Sequence, residues 1–355
     1  MNASEVIVLG GGVFGAATAY ELARAGARTM LVDAELDGRA TSAGAGIVCP
    51  WTSRIEDEHW YRMARAGAER YPELLAELAE LGAGDIGYRR VGALCPVEPG
   101  DRDRLMARLR PRLEDASAHG AVTELEAGEA ARLFPPLRPG LAGVHVPGAA
   151  RVDGRLLRSA LCQAAGALGT RIVRGTGKPQ LTDGKVDGVT VDGEFHRCAK
   201  LVVAAGVWTQ PLLAELGATL PGSQQRGQIL HLRLAGAPTG DWPVLLPEGG
   251  HYMVSFDDSR VVVGATREPG DWLELAATAD GLAELLGFAL GIAPGLGTAT
   301  HVETRVGYRP MSPEILPQFG PVPGHPGVFH ATGLGASGLT LGPFLGRKLA
   351  ELVLG

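Results

Sequence analysis

Apolar and polar positions follow two registers along this chain. One suits buried parallel strands that lead into helices, the other half-buried antiparallel strands. Residues 5–9 form a short β-branched run that enters Gly10-Gly11-Gly12-Val13-Phe14-Gly15, then a helical pattern through Ala25 closed by Gly26. A second strand over residues 29–32 ends on Asp33, and a small, polar, glycine-rich segment follows over residues 38–48. Residues 58–81 read as helix, with Trp60, Met63, Ala64, Tyr71, Leu74, Leu75 and Leu78 as apolar positions; Pro72 divides it into two helices or kinks one. Then come a strand or hairpin arm at 87–95, a helix at 101–118 broken or bent near Pro111, a short helix at 124–133 and a strand at 143–147.

Alternating order returns in the middle of the chain. Residues 153–168 form a helix with Asp153 as N-cap, and a strand spans 171–174. Hairpin strands at 186–191 and 194–198 flank the turn pair Asp192-Gly193, and a separate buried strand at 200–206 ends in glycine before Trp208. From residue 223 to 303 the period is mainly strand-like (227–234, 251–256, 260–266), interrupted by one helix at 273–289. The last block holds a strand around 303–311, a proline-rich loop, a strand at 328–331 and a terminal helix. The pattern is α/β, then α+β, then α/β again, with no internal repeat.

The amino-terminal stretch carries the first chemistry. Gly10, Gly12 and Gly15 give G-x-G-x-x-G between a strand and a helix, and Asp33 follows 18 residues later. Gly10 permits the tight turn, Gly12 lets backbone N–H groups approach a pyrophosphate, Gly15 allows close helix–strand packing, and Asp33 can accept from a ribose hydroxyl. This is a dinucleotide site; alone it leaves NAD, NADP and FAD open. Gly333, Gly335 and Gly338 repeat the pattern, but an acid 18 residues on would fall beyond Gly355. That turn offers a helix N-terminus suited to an anion or an electron-rich carbonyl.

Composition narrows the class. The chain has 355 residues, enough for two modest domains, and its 45% hydrophobic, 20% charged make-up is that of a soluble globular protein. A formal charge of −6 argues against nucleic acid, and no apolar run reaches a membrane span. With a strand from residue 5 and dispersed Cys49, Cys95, Cys162 and Cys198, we expect a reduced, cytoplasmic protein without a leader. Histidine spacing gives no metal site, and Lys178, Lys185, Lys200 and Lys348 are the only lysines.

Ordered blocks of the chain resemble the D-amino-acid oxidase superfamily of FAD enzymes, in particular its deaminating glycine/D-amino-acid oxidases and D-amino-acid dehydrogenases. They are Val8 to Gly15; Ala40-Thr41-Ser42-Ala43-Gly44-Ala45-Gly46-Ile47; Val202 to Thr209; Arg226-Gly227-Gln228-Ile229; Val261 to Glu268; Gly307-Tyr308-Arg309-Pro310; and Ala331 to Pro343. The resemblance implies a doubly wound, Rossmann-like FAD domain (1–84, 148–220 and 304–355) with an inserted α+β substrate domain of antiparallel sheet plus helices (85–147 and 221–303). It implies non-covalent FAD held by Gly10, Gly12, Val13, Phe14 and Gly15; by Asp33, Ala34, Arg39, Ala40, Thr41 and Ser42; and by Ala45, Gly46 and Ile47. Further contacts are implied for Val173, Ala204, Ala205, Gly206, Trp208, Gly307 and Arg309, and for Gly333, Leu334, Gly335, Ala336, Ser337, Gly338, Leu339 and Thr340.

It also implies that Arg309 binds a substrate carboxylate, with Tyr252 and Arg267 beside it, during hydride transfer from Cα to flavin N5 that yields an imine. The substrate is then a small D-amino acid or N-substituted glycine; a 2-hydroxy acid, or a dinucleotide held without turnover, are the alternatives. Some relatives activate oxygen with a lysine whose position falls near Val262 here, so the electron acceptor, oxygen or a quinone or carrier, stays open.

Overall fold

The computed structural model describes residues 4–113, 119–270 and 273–355. Its organising layer is a sheet of strands Arg171–Arg174, Thr29–Asp33, Ser4–Leu9, Glu194–Val203 and Val328–Thr332, paired in parallel in that order, with antiparallel Gln318–Pro321 at the edge. Near-continuous apolar sequence is what such strands require, because helices cover them. Val6, Ile7, Val8, Leu201, Val202 and Val203 are all fully buried. Three helices pack together on one another: Val13–Arg24 from the glycine turn, the terminal Gly338–Leu354, and Glu58–Glu80.

Glu58–Glu80 is one helix that contains Pro72, so of the two alternatives the division into two helices is excluded. Asp57 caps it by accepting from the Trp60 N–H at 2.7 Å, and its apolar face buries Trp60, Tyr71, Leu74 and Leu78. Packing of that face outweighs the single lost backbone bond at the proline. Where the helix meets the terminal helix, Gly67 lies against the backbone: a Cβ there would stand 2.3 Å from the Thr340 carbonyl oxygen. The Tyr71 hydroxyl donates to the Leu339 carbonyl at the same junction.

Two predicted strands are one. Glu194–Val203 pairs antiparallel with Lys185–Val191 through its first half and parallel with Ser4–Leu9 through its second. Nothing in local sequence marks that change of partner. The adjoining strand Gly177–Thr182 also went unpredicted, as did Gln318–Pro321 inside the proline-rich loop.

Among the described residues the second sheet has nine strands and is antiparallel except for Val244–Leu245 against Ala93–Leu94. Its longest pairing joins Ser223–Arg233 to Thr300–Met311, which brings Gly227 opposite Gly307 and Gln225 opposite Arg309. The predicted helix at 273–289 starts later, as Ala279–Ile292, capped by the Thr278 hydroxyl accepting from the Gly281 N–H at 3.2 Å. The arm expected at 87–95 is strand only from Ala93, and the helix expected at 124–133 begins at Ala127, after a short strand Thr123–Leu125. The helix expected at 101–118 runs Arg102–Leu113; the remainder of that expectation lies outside the described residues. We propose the division of the chain given above as its domain organisation. It places the two large sheets in different units, apart from the boundary at residue 304, which falls inside Thr300–Met311, a strand of the second sheet.

Two glycine-to-alanine changes test this packing in opposite directions. Gly67→Ala forces the two helices apart and is expected to destabilise by about 1–3 kcal/mol. Gly287→Ala, on an exposed helix face where a Cβ meets nothing within 4 Å, is expected to stabilise by up to about 1 kcal/mol. Thermal unfolding of both variants measures this.

Candidate functional site

The glycine turn is built by contacts that exclude side chains. Gly10 sits at φ +100°, and a Cβ there would lie 2.5 Å from the Ala204 carbonyl oxygen. A Cβ on Gly15 would lie 1.9 Å from the Gly10 carbonyl oxygen, so the helix packs directly on the turn. The Val13 N–H donates to the Thr41 hydroxyl at 3.0 Å. The Gly11 and Gly12 N–H groups have no acceptor among the described residues.

At the end of the second strand, Asp33 is held from several sides. Its Oδ1 accepts from the Glu35 N–H at 3.0 Å; its Oδ2 accepts from Arg158 at 2.7 Å and Arg39 at 3.3 Å. Arg158 is a residue the sequence reading missed, because it lies 125 positions away on another helix.

From this turn a cleft of about 350 Å³ runs to the second sheet. Of the expected cofactor residues it is lined by Gly10, Gly12, Val13, Phe14, Asp33, Ala34, Arg39, Ala40, Thr41, Ala45, Gly46 and Ile47 at one end. Ala204, Ala205, Gly206, Trp208, Gly307, Arg309, Leu334, Gly335, Ala336, Gly338 and Leu339 continue it. Gly15, Ser42, Val173, Gly333, Ser337 and Thr340 do not line it. Gly15 packs on Gly10, Ser42 gives its carbonyl to Arg155, and the Thr340 hydroxyl donates to the Ile47 carbonyl. The lining also includes Gly11, Gly227, Ile229 and Tyr308, which lie in the quoted blocks without being assigned to the cofactor, and residues 175–177, which no motif marked.

Arg309, Tyr252 and Arg267 come together at the far end, from three different strands or loops. Arg309 Nη1 donates to Gln225 Oε1 at 2.9 Å and to the Thr266 carbonyl at 3.1 Å, and its guanidinium lies across Gly227, where a Cβ would be 2.4 Å from Nη2. Nη2 has no protein acceptor among the described residues, which leaves one side of the fork for an anion.

Burial pushes the Arg309 guanidinium below the usual arginine value, and Tyr252 opposes that shift. Burial pushes the Tyr252 phenol up, against Arg309 and Arg267, so at neutral pH it is a neutral donor. Arg267 is exposed and anchored by donating to the Gly250 carbonyl at 3.0 Å.

Beneath Arg309 lies Glu268, which accepts from the Thr266 hydroxyl at 2.6 Å, Gln228 at 2.7 Å and Arg226 at 2.9 Å. Burial raises the pKa of its carboxyl, but these hydrogen bonds and the Arg226 charge outweigh that and hold it below the ordinary value.

The arrangement fits an FAD. Two unpaired turn N–H groups suit a diphosphate, the acid beside them suits a ribose, and the small lining residues leave room for a flat ring. None of the four lysines and none of the four cysteines lines the cleft. Val262 is buried within its strand and does not line it either. Burial raises the thiols of Cys49 to about 11 and of Cys95 and Cys198 to about 12, in keeping with inert core residues. Among the described residues there is no cluster able to hold a metal, and no helix is long and apolar enough to cross a membrane.

Comparison with known proteins gives the same picture. The family model described as FAD dependent oxidoreductase matches residues 5–352. An uncharacterised oxidoreductase, YurR, of Bacillus subtilis is 44% identical over 98% of this chain and 94% of its own length. The glycine oxidase of Pseudomonas aeruginosa is 32% identical over 99% of this chain and 94% of its own. The crystal structure of iminodiacetate oxidase from Chelativorans sp. BNC1 superposes with a TM-score of 0.95 at 46% identity, covering 99% of this chain and 95% of that one.

Gly10→Ala tests the turn. The added methyl meets Ala204 in a backbone conformation that L-residues resist, and the purified variant is expected to lose most of its flavin. The ratio of visible flavin to protein absorbance reads this directly; a wild-type ratio would remove Gly10 from the cofactor site.

Proposed function

The chain belongs to the family of FAD-dependent oxidoreductases, and from that premise we propose that it oxidises a small amino acid, either a D-amino acid or an N-substituted glycine, at the Cα–H. The observation that carries this reading is Arg309, a half-satisfied guanidinium at the end of the cleft opposite the dinucleotide turn. A planar fork with one free edge pairs with a carboxylate through two parallel hydrogen bonds and so fixes the direction of the adjoining Cα–H. Gln225 and the Thr266 carbonyl hold the other edge, so the fork is oriented before substrate arrives.

Tyr252, with a neutral hydroxyl, adds a second donor to the carboxylate. The cofactor, bound non-covalently, supplies the acceptor that takes a hydride equivalent from Cα. The chain contributes orientation and water exclusion, and no side-chain base is required when the amine binds neutral. The oxidised product is an imine, which water splits to a keto acid and an amine.

A second cation refines the choice of substrate. Arg267 lines the same cleft as Arg309, so an N-substituted glycine whose substituent ends in a carboxylate finds a partner at both ends. The Chelativorans relative is an iminodiacetate oxidase, and iminodiacetate has that form. A 2-hydroxy acid would meet the same arginine, and its test is part of the same experiment.

Anaerobic addition of glycine, sarcosine, iminodiacetate, D-alanine and D-lactate to the holoenzyme is expected to bleach the flavin with the amines and not with D-lactate. Admitting air then distinguishes oxygen from a quinone or carrier as acceptor. Bleaching by D-lactate alone would overturn the amine reading. Arg309→Ala is expected to lower kcat/KM by roughly 10²-fold or more, from loss of a charged, bidentate contact. Unchanged kinetics would remove Arg309 from the substrate site.

A further inference from the structure

Arg158 belongs to none of the sequence motifs, yet it hydrogen-bonds both the dinucleotide turn and the acid that follows it. It projects from the helix Gly154–Ala167, whose start is fixed by Asp153 accepting from the Arg155 and Leu156 N–H groups at 2.9 and 3.2 Å. From that rigid base its Nε donates to the Gly11 carbonyl at 2.8 Å. Its Nη2 donates to Asp33 Oδ2 at 2.7 Å and to Glu35 Oε1 at 3.3 Å.

Each contact has a consequence for a ligand. In a trans peptide the N–H points opposite to the preceding carbonyl. Drawing the Gly11 carbonyl toward Arg158 therefore turns the Gly12 N–H away from it, and that N–H has no acceptor among the described residues. At Asp33, Arg158 and Arg39 on Oδ2 and the Glu35 N–H on Oδ1 leave the carboxylate no freedom to rotate. The two cationic side chains also offset its charge, which would otherwise stand unbalanced beside a diphosphate. One guanidinium thus sets both the donor aimed at a diphosphate and the acceptor aimed at a ribose.

We propose that Arg158 is a positioning residue for the adenosine-diphosphate half of FAD, locking the Gly11–Gly12 turn and Asp33 in their binding arrangement and making the site selective for FAD over FMN. The proposal rests on FAD as cofactor and not on the substrate assigned to Arg309.

The test uses full-length protein stripped of flavin, with FAD, ADP and FMN as probes. Binding is followed by flavin fluorescence, and ADP by its competition with FAD. Arg158→Met is expected to weaken FAD and ADP in parallel, by about 10- to 100-fold, while FMN binding changes by less than about threefold. Arg158→Lys, which keeps the charge but cannot bridge two acceptors in a fixed fork, is expected to fall between. Adding Asp33→Asn to Arg158→Met is expected to cost less than it does alone, because the two act as a unit.

FAD and ADP affinities within about twofold of wild type would overturn the proposal. So would equal losses for FAD and FMN with ADP unaffected, the mark of a general packing role. If Arg158→Met does not fold, Arg158→Lys carries the same readouts, and wild-type behaviour of the lysine variant would overturn the fork geometry.

Discussion

Much of this molecule depends on how closely one backbone turn approaches the next strand. Gly10 stands where any Cβ would strike the Ala204 carbonyl, and Gly15 stands where any Cβ would strike Gly10 itself. These two contacts bring the first strand, the first helix and the strand ending at Val203 to within backbone distance of one another. The turn can then present unpaired N–H groups to a ligand, because no side chain fills the space in front of them. The same device recurs farther along: Gly307 lies against Ala43, and Gly227 lies beneath the Arg309 guanidinium. Absent side chains, more than present ones, shape the cleft.

Two long strands transmit this arrangement across the molecule. Glu194–Val203 leaves an antiparallel hairpin and enters the parallel sheet, ending just before Ala204, which lines the cleft. Thr300–Met311 belongs to the second sheet, yet the Tyr308 N–H donates to the Gly38 carbonyl at 2.9 Å and so stitches it to the segment after Asp33. Arg309 is thereby fixed both to the second sheet and, through its neighbour Tyr308, to the dinucleotide side. Its polar support from Gln225, Thr266 and Glu268 is a connected hydrogen-bond network that, among the described residues, leaves the Arg309 Nη2 free toward the cleft.

Local features were legible where a residue's role depends on its near neighbours. The strand–glycine–helix unit, the Asp153 cap and the Asp192-Gly193 turn follow from short-range rules, and each is present. The membership of Arg309 and Asp33 in the cleft was readable from motifs. Local rules failed where tertiary packing decides. Pro72 does not split its helix because the buried face holds it together, and the strand Glu194–Val203 changes partner without any mark in its sequence. Arg158 was invisible because an exposed-looking arginine in a helical pattern carries no sign of what it reaches.

By itself the sequence determined the alternating α/β and α+β order, a dinucleotide turn with its acid, and a glycine-flanked arginine late in the chain. Those depend on backbone conformations and spacings that only certain residues permit. The tertiary structure alone decided which of the motif residues share one cleft, which edge of the Arg309 fork stays open, and which arginine secures Asp33. Such matters depend on contacts between residues far apart in the chain, 43 and 84 positions for the Arg309 fork and 125 for Arg158 and Asp33. Side-chain reach and register across sheets settle them, and neither is written in local sequence.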